Sequence, residues 1–157
     1  MDCCAPKGRD AARVPCPGCG QLGQPVEGVT VEAILPPGRA AGLLEPRFCR
    51  TRECGVLYYG NDGRSAHKKE ASVRVGLKEN DAPLPVCYCF GFSRADIERE
   101  IAETGGCTIA TNITAEVKAG KCSCEIKNPA GVCCLGEVNR EIKDAMLRQV
   151  PPARTGT

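Results

Sequence analysis

The chain has few of the side chains that build a large hydrophobic core. Among its 157 residues there is no Trp, and Phe and Tyr occur three times each. Eighteen Gly and twelve Pro residues add many turns. If the chain folds as two small domains, each has too small a hydrophobic core to be stable without a further cross-link. Bound metal can supply this stabilisation, because the binding free energy of a structural site becomes folding free energy.

Long apolar segments are missing as well. No run of about 18 apolar residues is present to cross a membrane, and residues 1–8 lack the apolar stretch of a secretory signal. The formal net charge of +2 is too small to indicate nucleic-acid or membrane-surface binding. We therefore expect a cytoplasmic protein with no membrane span and no nucleic-acid partner.

Cysteine, in contrast, is abundant, with thirteen residues arranged mostly in close pairs. An odd number of thiols and the presence of CxC and vicinal CC pairs, which do not easily bridge within themselves, argue against a disulfide framework. Metal binding in a reducing compartment is the better interpretation. The cysteines form two groups with different spacing, one in the first third of the chain and one in the second half.

The first group begins with the knuckle Cys16-Pro17-Gly18-Cys19-Gly20 and is completed by Cys49 and Cys54. Four thiolates suit a closed, structural Zn²⁺ site, although iron accepts the same shell. The alternative is that Cys49 and Cys54 are ordinary buried thiols. His67, the single histidine, is expected to be a solvated loop residue rather than a ligand.

The second group opens with Cys87-Tyr88-Cys89 and returns with Cys122, Cys124, Cys133 and Cys134 before a predicted helix. This arrangement resembles the bacterioferritin-associated ferredoxins, and the resemblance implies a [2Fe–2S] cluster whose four ligand positions are contested by six thiols. Our preferred set takes one ligand from each later pair, and the competing thiols are named as alternates. A second zinc site is the other possibility for this half. The preferred ligands are Cys87, Cys89, Cys122 and Cys133, and the alternates are Cys124 and Cys134.

Two further positions hold cysteines outside these groups. Cys107 has no close partner and is expected in the core. Cys3 and Cys4 lie in a segment without apolar periodicity, which we interpret as a flexible arm with a possible soft-metal site for Cu(I) or Hg(II).

The pattern of apolar residues predicts an α+β protein of two small domains. Short apolar runs predict strands at 29–35, 47–49, 56–59 and 73–75. After a polar, proline-containing linker at 78–85, helical periodicity predicts helices from Ser93 to Gly105, at 112–118 and at 136–149, the last burying Met146 among others. The expected divisions are an arm at 1–13, a β-rich zinc domain at 14–80 and a helical [2Fe–2S] domain at 81–157.

The cysteine motifs and their flanking residues also carry a family resemblance. Residues 14–150 resemble the N-terminal region of CopZ-type copper chaperones, and the second half is similar to bacterioferritin-associated ferredoxins. The resemblance implies a structural zinc half, a redox-active [2Fe–2S] half and a following heavy-metal-associated domain that hands Cu(I) to a transport ATPase. It rests on the segments Cys16–Gly20, Arg47–Arg50, Val73–Glu79, Val86–Phe92, Lys118–Glu125 and Lys127–Gly136.

These residues contain no MxCxxC copper-binding loop. We therefore expect the chain to be a non-catalytic electron-transfer or metallochaperone module in copper or other soft-metal homeostasis. Its expected partners are an electron donor protein and a metal-transport ATPase or a separate heavy-metal-associated domain. The alternatives are a Cu(I) or Hg(II) scavenger that uses Cys3 and Cys4, and a component of a metal-ion reductase that depends on a partner.

Overall fold

The computed structural model describes residues 13–81 and 84–149. Its first half is built on a small antiparallel sheet and its second half on helices. This arrangement confirms the α+β class that the change of periodicity near residue 85 predicted. The arm at residues 1–12, with Cys3 and Cys4, lies outside the described residues.

Four short strands form the sheet of the first half in the order β1-β2-β3-β4. Phe48 is paired with Tyr58 across β2 and β3, and both rings are buried in the core. A register shift between Val56 and Tyr58 marks a bulge in β3. The strands are β1 (Gln24–Pro25), β2 (Arg47–Phe48), β3 (Val56–Tyr59) and β4 (Ser65–His67).

One predicted strand is a helix. Residues 29–35 were expected to be extended, whereas Gly28–Ile34 form helix α1. Val31, Ile34 and Leu35 are spaced by three and four positions and are all buried against the sheet. Tertiary burial therefore outweighs the preference of β-branched residues for strands. The strand expected at 73–75 is likewise absent from the described sheets.

The second half begins with a two-stranded ribbon, β5 (Pro85–Cys87) and β6 (Phe92–Ser93), and continues with four helices. Helix α2 starts at the capping box that Ser93 forms with Asp96 and ends at Gly105, which takes the left-handed conformation with φ +80°. Both ends agree with the sequence prediction. The helices are α2 (Arg94–Thr104), α3 (Ile109–Lys118), α4 (Cys124–Lys127) and α5 (Leu135–Gln149).

The helices pack around Ile97, Ile113 and Val138, which are almost completely buried. Met146 was predicted to be buried, but it is 38% exposed. Val138 and Ala145, which were predicted to be buried with it, are indeed buried. In the part of the chain that the structure describes, none of the helices is long and apolar enough to cross a membrane.

The two halves are in direct contact. The Tyr58 hydroxyl donates to the carbonyl of Pro129, and the buried Thr30 hydroxyl donates to the carbonyl of Glu125. Gln24 Nε2 donates to the carbonyl of Ala130 at 3.2 Å. The loop that carries the later cysteines of the second half therefore rests on the sheet and helix α1 of the first half.

Candidate metal centres

The cysteine sulfurs of the first group converge on one point. Each of the four lies within 4.8 Å of the others. The distance from Cys16 Sγ to Cys54 Sγ is 3.8 Å, and that from Cys19 Sγ to Cys49 Sγ is 3.7 Å. A tetrahedral zinc ion with Zn–S bonds of about 2.3 Å requires sulfurs about 3.8 Å apart. The site therefore fits Zn²⁺ in both donor type and spacing.

The knuckle brings its backbone close to the sulfurs, as its glycines predicted. The Gly18 N–H donates to Cys16 Sγ at 3.4 Å, and the Gly20 N–H donates to the Cys16 carbonyl at 2.8 Å. A Cβ atom on Gly18 would lie 2.8 Å from Cys54 Sγ. Glycine is therefore required at this position because any side chain would displace the sulfur or the turn.

Thr51 is a part of this centre that the sequence did not reveal. Its hydroxyl lies 3.2 Å from Cys19 Sγ, and this hydrogen bond is the main reason that the pKa of Cys19 falls to about 6. Burial acts in the opposite direction on Cys16 and raises the pKa of that thiol to about 12. Without a metal, Cys19 thus carries negative charge more readily than Cys16.

Lys78 lies behind the same centre and is 1% exposed. Its Nζ donates to the carbonyls of Thr51 at 2.8 Å and Cys54 at 3.0 Å. A buried ammonium needs such acceptors, and its charge is favourable near a group of thiolates. The sequence had placed this residue in a polar linker, because a single Lys gives no indication that it will be buried.

His67 is exposed at the end of β4. Its Nδ1 accepts from the Lys69 N–H, so the ring caps the short 3-10 helix Lys68–Glu70. Among the residues that the structure describes, the group of converging sulfurs consists of the four cysteines and does not include His67.

The second group also gathers its thiols. Cys89 Sγ lies 3.3 Å from Cys124 Sγ, which in turn lies 3.6 Å from Cys134 Sγ. These three sulfurs are within 4.8 Å of one another. Cys87, at the end of β5, shares a hydrogen bond with Cys134 that lowers its own pKa to about 7.

The sulfurs brought together here include both alternates named from the sequence. Cys122 and Cys133, which we had preferred, are not members of this group of three sulfurs, and neither is Cys87. Cys122 and Cys133 are half-buried, and Cys133 forms a hydrogen bond with Cys124. Cys133 also lines a cavity of about 360 Å³ between the two halves of the chain. The group instead contains the sulfurs of Cys124, two positions after Cys122, and of Cys134, one position after Cys133.

Backbone and side-chain donors surround the second group. The Ser123 N–H donates to Cys89 Sγ at 3.2 Å, and Asn128 Nδ2 donates to Cys134 Sγ at 3.5 Å. Asn128 is buried, and its Oδ1 accepts from the Ala130 N–H. An Asn before a Pro is a turn signal in the sequence, but its contact with a sulfur depends on how that turn folds back.

Hydrogen bonds between the thiols of the second group shift their pKa values in opposite directions. Hydrogen bonds with Cys134 are the largest cause that lowers the pKa of Cys124, to about 6. The same bonds raise the pKa of Cys134, which holds its proton between its neighbours. Burial raises that of Cys89 to about 12. Helix α5 begins at Leu135, directly after Cys134, as the sequence predicted, and its N-terminus favours negative charge there.

Cys107 is half-buried and packs against the core of the helical half. Its Sγ lies 3.4 Å from Glu100 Oε2, and burial is the main cause that raises its pKa. This contact sets it apart from the two groups of converging sulfurs.

Residues 13–72 match a family model described as a zinc-binding domain, that of CopZ. A curated protein of Archaeoglobus fulgidus named copper chaperone CopZ is 36% identical over 126 residues, which are 80% of this chain and 60% of that protein. The X-ray structure of the A. fulgidus CopZ N-terminal domain aligns with a TM-score of 0.67 at 32% identity and covers 81% of this chain and 96% of that one. The chain belongs to the CopZ N-terminal family.

Membership of the CopZ family confirms the resemblance that the cysteine motifs indicated. The zinc-binding match covers the sheet-containing half, in which the first group of sulfurs lies. This CopZ-type chain spans 60% of the length of the curated copper chaperone. The family assignment therefore concerns the N-terminal region of such proteins.

Proposed function

We propose that the chain is a non-catalytic electron-transfer and metallochaperone module of copper homeostasis, with a structural zinc ion in its first half and a [2Fe–2S] cluster in its second. The observation that carries the proposal is the presence of two separate groups of converging cysteine sulfurs with different surroundings. The first is a closed shell with tetrahedral spacing. The second is built from a turn and two loops that precede helices.

The zinc ion would be held by Cys16, Cys19, Cys49 and Cys54. Spacing near 3.8 Å supports a structural role, because four sulfurs at this spacing would fill a tetrahedral shell and leave no coordination position open. The burial of Cys16, Cys49 and Cys54 supports it further. In this half the strands are only two to four residues long. Since so short a sheet has few backbone hydrogen bonds, the metal would contribute to the stability of the fold.

The cluster would be held by Cys87, Cys89, Cys124 and Cys134. Four cysteine thiolates are the donor set of a [2Fe–2S] cluster, and when bound this group supplies one-electron transfer. The preference for Cys124 and Cys134 over their neighbours rests on the distances of 3.3 and 3.6 Å that join them to the group. Cys87 lies outside the group of three and is added because it forms a hydrogen bond with Cys134.

The surrounding residues suit a site that exchanges electrons. Cys87, Cys124 and Cys134 are buried, whereas Cys89 is half-buried and is therefore the most accessible of the four sulfurs. Hydrogen bonds from the Ser123 N–H and from Asn128 reach two of the sulfurs. Such bonds stabilise the more negative, reduced state and so raise the reduction potential.

Copper enters the proposal through the relative that is named a copper chaperone. One electron held in the second half would reduce Cu(II) to Cu(I), the state that thiolates prefer. A donor protein would return the electron, and a heavy-metal-associated domain or a metal-transport ATPase would receive the Cu(I).

Metal analysis of anaerobically purified protein tests this function. We expect about two iron ions, two acid-labile sulfides and one zinc ion per chain. The visible spectrum should bleach on reduction, and a one-electron EPR signal should appear. Colourless protein with two zinc ions and no iron would support a second zinc site and overturn the electron-transfer proposal.

Copper reduction requires a second experiment. Reduced protein is mixed anaerobically with Cu(II) and a Cu(I)-specific chromophoric chelator, with oxidised protein as the matched control. We expect close to one Cu(I) for each reduced centre and reappearance of the oxidised visible spectrum. Equal Cu(I) formation by both samples would assign the reduction to free thiols and contradict the proposal.

A further inference from the structure

A set of buried contacts joins the first metal centre to the segment that precedes the second. Lys78 Nζ bonds the carbonyls of Thr51 and Cys54, which belong to the loop between the last two cysteines of the first group. Its ammonium is held by one carbonyl within this loop and one at its end, and it is shielded from solvent. The position of Lys78 is therefore determined by the shape of the loop.

Two more cations fix the same segment. Arg52 Nη1 donates to the carbonyl of Glu79 at 2.6 Å. Lys68 Nζ donates to the carbonyl of Lys78 at 3.2 Å and lies 3.5 Å from the Glu79 carboxylate. The short helix Gly76–Lys78 is thus attached to the first metal centre by its side chain and by its backbone.

The other end of this short helix reaches the second group. The Gly76 N–H donates to the hydroxyl oxygen of Tyr88 at 3.0 Å, and Tyr88 lies between Cys87 and Cys89 in the chain. A Cβ atom on Gly76 would lie 2.1 Å from the carbonyl oxygen of Pro85. The segment is therefore packed directly against the backbone of β5, with no room for a side chain.

We propose that metal occupancy of the first site controls the geometry and retention of the second through the connected residues Lys78, Gly76 and Tyr88. This inference rests on the proposed function. Lys78 and Tyr88 are positioning residues in it, since neither supplies a ligand. Zinc in the first site fixes the loop between Cys49 and Cys54, and the loop then holds Tyr88 and the turn of Cys87 and Cys89 in place.

The physical reason is the cost of a buried charge without partners. When the loop between Cys49 and Cys54 is released, the two carbonyls that accept from Lys78 move apart. A buried ammonium cannot stay in place without acceptors, so the segment must shift to solvate it. The Gly76 N–H then loses Tyr88, and the turn between the first two sulfurs of the second group gains freedom.

Two variants of the metal-loaded protein test the connection at different points. In Lys78→Met the side chain keeps its length and loses its charge, whereas in Tyr88→Phe the acceptor for Gly76 is removed and the ring is kept. The readouts are zinc transfer to a chromophoric chelator and loss of visible absorption with release of acid-labile sulfide. Two readouts are needed because the proposal assigns different effects to the two variants.

For Lys78→Met we expect both zinc transfer and cluster loss to become about fivefold faster, as the loss of a buried hydrogen-bonding group implies. For Tyr88→Phe we expect faster cluster loss, altered visible circular dichroism and an unchanged rate of zinc transfer. Lys78→Arg, which restores the charge, should recover most of both rates. Faster zinc transfer with unchanged cluster retention in Lys78→Met would overturn the proposal.

Matched controls separate this connection from general destabilisation. Leu43→Ala removes a buried side chain from the sheet core of the first half, in a different cluster from the cysteines of the first group, and Lys69→Met removes a nearby exposed lysine. Neither should change cluster retention. Cluster loss accelerated equally by Leu43→Ala and Tyr88→Phe would assign the effect to global stability and contradict the proposal.

A further measurement keeps this inference distinct from the proposed function. If the protein contains zinc and no iron, the proposed function fails, and hydrogen exchange at the Gly76 amide still tests the connection. Lys78→Met should speed that exchange about fivefold in zinc-loaded, iron-free protein, and Leu43→Ala should not. Equal exchange in Lys78→Met and the unsubstituted protein would overturn the inference by itself.

Discussion

The hydroxyl of Thr51 lies 3.2 Å from Cys19 Sγ, the half-buried sulfur of the first group. A hydrogen bond to a metal-bound thiolate disperses the negative charge of the sulfur and fixes the orientation of the cysteine side chain. We expect Thr51→Val to weaken zinc binding about tenfold, the lower end of the usual effect of such neighbours. Competition with a chelator of known affinity gives the dissociation constant.

Thr51→Ser is the control for this prediction because it keeps the hydroxyl and removes the methyl group. It should bind zinc within about twofold of the unsubstituted protein. If valine and serine weaken binding to the same extent, packing of the methyl group would explain the effect and the hydrogen bond would not.

Single Cys→Ser substitutions distinguish the candidate cluster ligands. Cys124→Ser and Cys134→Ser should lose most of the iron and sulfide per chain, because their sulfurs lie within the converging group. Cys122→Ser and Cys133→Ser should retain the cluster. Iron, sulfide and visible absorption are measured on protein purified anaerobically.

Cys107→Ser is the matched control, since Cys107 is also half-buried but its sulfur contacts Glu100 and lies outside the converging group. It should retain both metals. Cluster loss in Cys122→Ser or Cys133→Ser, with retention in Cys124→Ser or Cys134→Ser, would restore the ligand set preferred from the sequence.

The helical half has an ion pair that we expect to matter for stability. Arg94 donates to both oxygens of Glu141, at 2.8 and 2.7 Å, and joins the start of α2 to α5. The Glu141 side chain is 8% exposed. Glu141→Gln should lower the free energy of unfolding by about 2–3 kcal/mol because it leaves a partly buried guanidinium without its counter-charge.

Glu98→Gln provides the comparison, since Glu98 pairs with Arg148 at 3.1 Å and both side chains are about half exposed. Its effect should stay below about 1 kcal/mol. Denaturant unfolding of metal-loaded protein measures both values, and equal effects would contradict the role assigned to burial.

The capping box of α2 predicts a dependence on pH. The Ser93 N–H is the main cause that lowers the pKa of Asp96 below 3.8. A carboxylate with a lowered folded-state pKa stabilises the fold above its unfolded pKa and loses that contribution as the pH falls through the folded value. Asp96→Ala should therefore cost about 1 kcal/mol from pH 7 to pH 5 and progressively less below pH ~4.

The measurement is the difference in unfolding free energy between Asp96→Ala and the unsubstituted protein at each pH. Acid release of metal affects both proteins and cancels in this difference. A difference that stays constant down to pH 3 would show that the carboxylate charge does not contribute.

Local signals gave reliable predictions where the interaction itself is local. Ser93, Asp96 and Gly105 define α2 through contacts within a few residues, and its observed ends agree with them. The position of α5 after Cys134 follows in the same way. The prediction for helix α1 was wrong, because the β-branched Val29, Thr30 and Val31 favour a strand locally, whereas the burial of Val31, Ile34 and Leu35 against the sheet requires a helix.

The sequence by itself determined that this protein has two groups of cysteines and an α+β order of elements, since pair spacing and periodicity are properties of neighbouring residues. The tertiary structure decided which sulfurs converge. Cys122 and Cys124 are two residues apart, as are candidates in any CxC pair, and only the fold of the loop determines which one points inward. The burial of Lys78 behind the first metal centre is likewise set by a segment distant in the chain, because its acceptors lie more than twenty residues away.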